Sequence, residues 1–171
     1  MAFVGFIPPQ TRCPWRVSDT EIVPAPRLDE CVLFGIHLER GLSPPVHPFL
    51  VQLLWLYGIQ LHHLTPDCIL HISCFITFCE GYLDIHPHLG LWCSLFSLSG
   101  RVSGEGDPAR PCGVVKVVPR SSQYPDLKLL GVSADWERSF FYFPEVPRSS
   151  GGPFLPPFNP DLPTSKECWN L

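Results

Sequence analysis

Residues 62–79 read HHLTPDCILHISCFITFC, three histidines and three cysteines in eighteen positions. The stretch is either a metal-ligating segment or an apolar helix carrying soft side chains, and the fold follows from the choice. Thr65-Pro66-Asp67 is a helix start signal: an N-cap, a proline at the first helical position, and an acid facing the dipole. From Pro66 to about Leu83 the apolar residues keep helical spacing. Ile69, Ile72, Ile76, Cys79 and Leu83 form one stripe, which Leu70, Phe75, Phe78 and Tyr82 widen. A helix apolar on most sides is expected at the centre of a domain, covered all round. Its run is too short to span a bilayer, and Asp67, His71 and Glu80 interrupt it.

Zinc needs four converging ligands, usually supplied as close pairs such as C-x₂-C or H-x₃-H. Here the nearest pairs are Cys68/His71 and His71/Cys74. On a helix Cys68 and Cys74 point about 120° apart, and Cys79 lies about 16 Å along the axis from Cys68. One ion could take two of these ligands, leaving His62, His63 or His37 to fold back and complete the set. Zinc binding by His62, His63, Cys68, His71 and Cys74 is therefore disfavoured. The cysteines are expected to act as small buried hydrophobes, and the histidines to be partly exposed or satisfied by backbone groups.

Outward from this segment, SPPVHPFLVQLLWLYG predicts a helix with Ser43 as N-cap, Pro44 and Pro45 in its first turn, and Gly58 as its stop. HPHLGLWCSLFSL predicts a third helix over 86–98, burying Leu89, Trp92, Leu95 and Phe96. DECVLFGIHLERG at 29–41 reads as a helix capped by Asp29 or as a short strand at ECVLFG. GVVKVV (113–118) and SFFYF (139–143) read as strands that could pair with each other, with one helical turn at 133–138 between them. The 21 prolines and 13 glycines cluster near both ends and at 99–113.

The expected fold is mainly α: a compact bundle of three or four helices with a small β-hairpin-like C-terminal addition and irregular Pro-rich ends. Its parts are an irregular segment 1–26, a helical core 27–98, a Gly-rich loop 99–112, a strand/short helix/strand extension 113–143, and a Pro-rich tail 144–171 that reads as a linker. PFLPP at 153–157 fits a PxxP ligand, but such matches are common in linkers of this composition.

Charge and motifs exclude several function classes. Residues 28–98 hold one firm cation, Arg40, against Asp29, Glu30, Glu39, Asp67, Glu80 and Asp84. Nucleic-acid binding needs clustered Lys/Arg, so it is not expected. Asp67, Glu80 and Asp84 would have to converge on two cations to serve a nuclease or transposase, and helix-dipole complementarity or simple exposure explains each. His71 and Cys74 lack an oxyanion hole and an orienting third group for nucleophilic catalysis, and SGRVSGEGDP lacks the lysine of a phosphate loop. The expectation is a chain with no catalytic residues, no metal, no cofactor and no small-molecule substrate. The amino-terminal run stops at Pro8-Pro9 without a cationic region, and the eight cysteines lack the dense spacing of a secreted scaffold. An intracellular product with reduced thiols, nuclear or cytoplasmic, is expected. Trp55, Trp92, Trp136, Phe140, Phe141 and Tyr142 are expected in the core rather than on a partner surface.

Longer motifs in fixed order carry a resemblance. FG-x-H-x-x-RG (Phe34 to Gly41), LYGIQLHHL (Leu56 to Leu64), FITFCEGYLDIHPHLGLW (Phe75 to Trp92) and the later ADWERSFFYF (Ala134 to Phe143) resemble the plant domain called "putative gypsy type transposon". The resemblance covers about residues 12–143 and extends to Trp169. Asp84 stands where it implies a glycine. It implies a retrotransposon-derived protein and supplies no residue-level activity. The leading expectation is a non-catalytic interaction or assembly module, self-associating or binding a protein partner through the helical core. The alternatives are a DNA-acting transposon protein, transposase-like or an accessory binder, and a truncated relic ending at Leu171.

Overall fold

The structure is a computed structural model that describes residues 15–17, 21, 23–27, 29–100, 112–121, 135–144, 155–163 and 169. In chain order its elements are β1 (Arg16–Val17), β2 (Glu30–Phe34), α1 (Gly35–Glu39), α2 (Pro48–Tyr57), a 3-10 turn (Leu61–His63), α3 (Pro66–Gly81), α4 (Leu89–Leu95), β3 (Phe96–Gly100), β4 (Val115–Pro119), a second 3-10 turn (Trp136–Arg138) and β5 (Phe140–Pro144). About 41% of the described residues are helical and 21% are strand, in two sheets. That balance overturns the expected mainly α bundle: the fold is mixed α/β.

The first sheet runs β1-β5-β2 and the second β3-β4. The two strands expected to pair with each other therefore lie in different sheets. β5 is central and antiparallel to β2, with Val32 opposite Tyr142, Leu33 opposite Phe141 and Phe34 opposite Phe140. Its aromatic run is buried on both faces. Phe140 and Tyr142 pack with Val32, Phe34 and Ile36, while Phe141 and Phe143 join the main core with Leu33. A strand buried on both faces shows no polar alternation, which is why SFFYF alone does not reveal its place.

β3 was expected to be the end of a helix. The four residues Phe96-Ser97-Leu98-Ser99 alternate apolar and polar, and Phe96 and Leu98 turn inward while β4 contributes Val115 and Val117. α4 consequently stops at Leu95, capped at its start by His88, whose Nδ1 accepts from Leu91 N at 3.1 Å. Trp92 still lands where expected, fully buried against Phe49, Phe75 and Phe96, with ring centroids 5.9, 5.2 and 4.3 Å away. The aromatic cluster joins α2, α3, α4 and β3.

α2 begins at Pro48 rather than after Ser43. A residue before proline is pushed into extended backbone, so the helix cannot start until the last proline of SPPVHP has been passed. His47 is the N-cap, its Nδ1 accepting from Phe49 N at 3.1 Å, and Pro44-Pro45 is a cis peptide. Gly58 ends α2 at φ +64, the left-handed conformation predicted for it. The stretch at 29–41 holds both of its alternatives in succession, strand then helix, and Thr65 caps α3 as expected. The irregular start is pinned: Arg16 makes a two-point ion pair with Glu30 at 2.8 and 2.9 Å and lies over the Tyr142 ring, whose hydroxyl accepts from Ala25 N and bonds Glu21. Residues 1–14, most of the Gly-rich loop and parts of the Pro-rich tail lie outside the described residues. No helix among the described residues is long and apolar enough to cross a membrane.

Asp84 adopts φ +53, a conformation that costs a side chain with a Cβ on the order of 1 kcal/mol and glycine almost nothing. Asp84→Gly is expected to raise stability by a few tenths to about 1 kcal/mol, measured as the urea midpoint at constant slope.

Candidate functional site

The soft side chains of residues 62–79 are spread over different structural duties. Cys68 lies in the first turn of α3, and its thiol accepts from Val117 N at 3.1 Å, donates to Val115 O at 3.2 Å and bonds Thr65 Oγ1 at 3.0 Å. Thr65 N also donates to Val115 O, and Leu64 forms a parallel bridge to Val115. The segment Leu64–Cys68 thus covers the edge of β4 that β3 leaves open, a role normally filled by another strand. Burial pushes the Cys68 thiol up, which keeps the proton that the bond to Val115 needs. Cys79 is fully buried and Cys74 half-buried, farther along the helix. His71 is buried with its ring edge toward Phe96.

His62 and His63 sit in the 3-10 turn between α2 and α3, and both are buried, as is His37 from α1. All three histidines of the 62–79 set are buried, so partial exposure fails for them, while the other alternative, satisfaction by backbone groups, holds for His63. His63 is held by backbone groups at both ring nitrogens: Gln60 N donates to Nδ1 at 3.0 Å, and Nε2 meets the Asp161 carbonyl at 3.1 Å. His62 lies between the rings of His63 and Phe158, with centroids 4.1 and 4.7 Å away. His37 is wedged between Phe34 and Trp136, and neither of its nitrogens meets a partner at hydrogen-bonding geometry. Burial pushes His37 down to about 3 and His63 to about 4, and it holds His62 well below the usual histidine range. No three His, Cys, Asp or Glu side chains among the described residues converge closely enough to hold a metal ion.

A cleft of about 350 Å³ opens beside His62, walled by Arg27, Glu30, Cys31, Gln60 and the segment Leu155–Phe158. A second, apolar cleft of about 500 Å³ lies between residues 41–50 and the Ile69, Ile72, Ser73 and Ile76 side of α3. The acids considered for metal chemistry stand apart. Asp67 is in the first turn of α3, and Glu80, near its other end about 20 Å away, pairs with His47 at 3.2 Å. Asp84 is exposed in the turn that follows.

The feature that residue spacing misplaced is the end of α3. Its stripe was expected to be covered throughout, yet Phe78 is 53% exposed, Tyr82 79%, Leu83 45% and Ile85 40%. Phe78 and Tyr82 stack one helical turn apart at 6.0 Å. Trp55, on α2, is also half-exposed, whereas Trp92, Phe140, Phe141 and Tyr142 are core.

Between pH 6.5 and about 3 an unfolded chain protonates the histidine at 37 while the folded chain does not, so stability falls with pH there by up to about 1.4 kcal/mol per unit from this group alone. His37→Leu is expected to lessen the slope of unfolding free energy against pH by close to one proton over pH 6–4, read from urea titrations.

A family model described as "Putative gypsy type transposon" matches residues 32–100, a span running from β2 through β3. No curated protein and no solved structure matches the chain. The match begins within β2, two residues before the Phe34-to-Gly41 motif, and takes in α1 through β3, including the turn with His62 and His63 and the exposed end of α3. Residues 32–100 of this chain, 69 of its 171 residues, are thus similar to the gypsy type transposon domain.

Proposed function

We propose that this transposon-related chain is a non-catalytic interaction or assembly module, and that the apolar end of α3 is its contact surface. One observation carries the reading: four large apolar side chains, Phe78, Tyr82, Leu83 and Ile85, stand exposed within eight residues at one end of α3. An exposed apolar patch on a rigid helix end loses water on association, and aromatic residues at the centre of such a patch supply most of the affinity. The patch is made by one rigid element and the turn that follows it, so it needs no rearrangement to dock. Glu80 and Asp84 flank it, and acids in that position repel phosphate, so the DNA-acting reading is not adopted. The favoured partner is a second copy of the chain.

Light scattering on the full chain in reducing buffer, across a concentration series, tests this. A dimer or higher assembly that dissociates on dilution is expected, tightening as salt screens the flanking acids. Phe78→Ser with Tyr82→Glu is expected to weaken it at least thirtyfold. A monomer at every concentration, or an assembly indifferent to the double substitution, contradicts the reading.

A further inference from the structure

The Pro-rich tail was expected to be a linker, but its described part lies on the domain. Asn159 N donates to Gln60 Oε1 at 2.7 Å, the Asp161 carbonyl meets His63, Phe158 covers His62, and Trp169 is 3% exposed with its indole N–H on the Tyr57 carbonyl at 3.0 Å. These contacts converge on the end of α2 and the 3-10 turn, where Gln60 and His63 cap each other reciprocally. Each member of that pair also holds the tail.

We propose that residues 155–163 form a strap latched by His63, which mild acid releases while the domain beneath, Trp169 included, stays folded. The chemistry follows from which nitrogen carries the proton. Because His63 Nδ1 accepts from Gln60 N, the ring proton is on Nε2, and that N–H donates to the Asp161 carbonyl. A second proton can only go to Nδ1. There it confronts the Gln60 N–H, donor against donor, so the reciprocal cap is lost together with the Gln60 acceptor that Asn159 uses. The titratable and charged groups around the ring are His62 beside it, His37 from α1 beneath, Cys112 ahead of Gly113, whose N–H bonds the His62 carbonyl, Arg27 and Glu30 across the cleft, and Asp161 on the strap itself. Asp161 meets the ring through its main chain, and the nearest ring is another histidine, which gives an imidazolium no relief. Opening the strap hydrates His62 and His63 and lifts Phe158 from the cluster around Val32, Phe34 and Tyr142, while the hydrogen bonds of the β2–β5 ladder remain.

Burial pushes His63 to about 4 against an ordinary 6.5, so the latched state is disfavoured about tenfold between pH 7.5 and 5.5 from this group alone. Hydrogen exchange on the full chain, corrected for intrinsic rate, reads this directly. Amides of residues 155–163 are expected to lose about tenfold or more in protection over that range and to stay well below those of β2 and β5, which exchange through the global opening whose own pH dependence includes His37. His63→Gln, which keeps a donor for Asp161 and does not titrate, is expected to reduce the response to the part that His62 contributes. His62→Phe, which keeps the ring against Phe158, serves as a second variant with a reduced response. Protection independent of pH in the unaltered chain, strap and β5 opening together, or a full pH response in both variants overturns the proposal.

Discussion

The pairing of β2 with β5 is the constraint on which the rest of the structure depends. Five residues near position 30 find their partners at 140–144, so the sheet closes a loop of more than a hundred residues. The entropy of such closure grows only slowly with length, but it is recovered only by burying much apolar surface. The aromatic run of β5 supplies that surface on both faces, toward the main core through Phe141 and Phe143 and toward Phe34 and Ile36 through Phe140 and Tyr142. β1 then pairs with the other edge of β5, and Arg16 ties it back to Glu30. The folded unit is larger than the family match. Residues 32–100 taken alone would leave β2 without β5 and β3 without β4, two open strand edges of the kind that proteins cover.

Much of the local structure was legible, and the failures share a cause. Thr65-Pro66-Asp67 and Gly58 act through their own backbone geometry, and both do what their chemistry dictates. Pro48 would have corrected the start of α2, since the rule against helical backbone before proline applies as firmly to His47 as to Ser43. The alternation Phe96-Ser97-Leu98-Ser99 was visible too, but it was absorbed into a helical stripe that happened to include Phe96. The partner of β5 was not legible. A continuous aromatic strand carries no facing information, and the nearest strand in sequence, β4, was the wrong one because it completes a sheet with β3. Exposure at the end of α3 was hidden for the same reason. Apolar spacing says which side chains would suit a core, and only tertiary structure says where the core ends.

Two of the soft side chains in residues 62–79 act as short polar connectors inside an apolar domain. Cys68 stands in for a missing strand at the edge of β4, and His63 joins the turn before α3 to a tail almost a hundred residues away. Both duties require a particular protonation state, a thiol that keeps its proton and an imidazole that does not take a second. The chemistry of these two residues lies in how the fold is held, while the hydrophobic end of the same helix faces outward. One helix thus carries the joint to the second sheet at its start and the proposed contact surface at its end.

The most direct measurement is the thermal unfolding of Phe141→Pro in the full chain, followed by the helical circular dichroism signal. Proline at the centre of β5 removes a ladder hydrogen bond and a buried ring, a loss of roughly 3 kcal/mol or more. If β5 holds the domain together, α2 and α3 unfold with it, and the cooperative midpoint falls by roughly 10 °C or the transition disappears. A helical signal that melts at the unaltered midpoint would mean that the helices stand without the sheet, and would contradict the account.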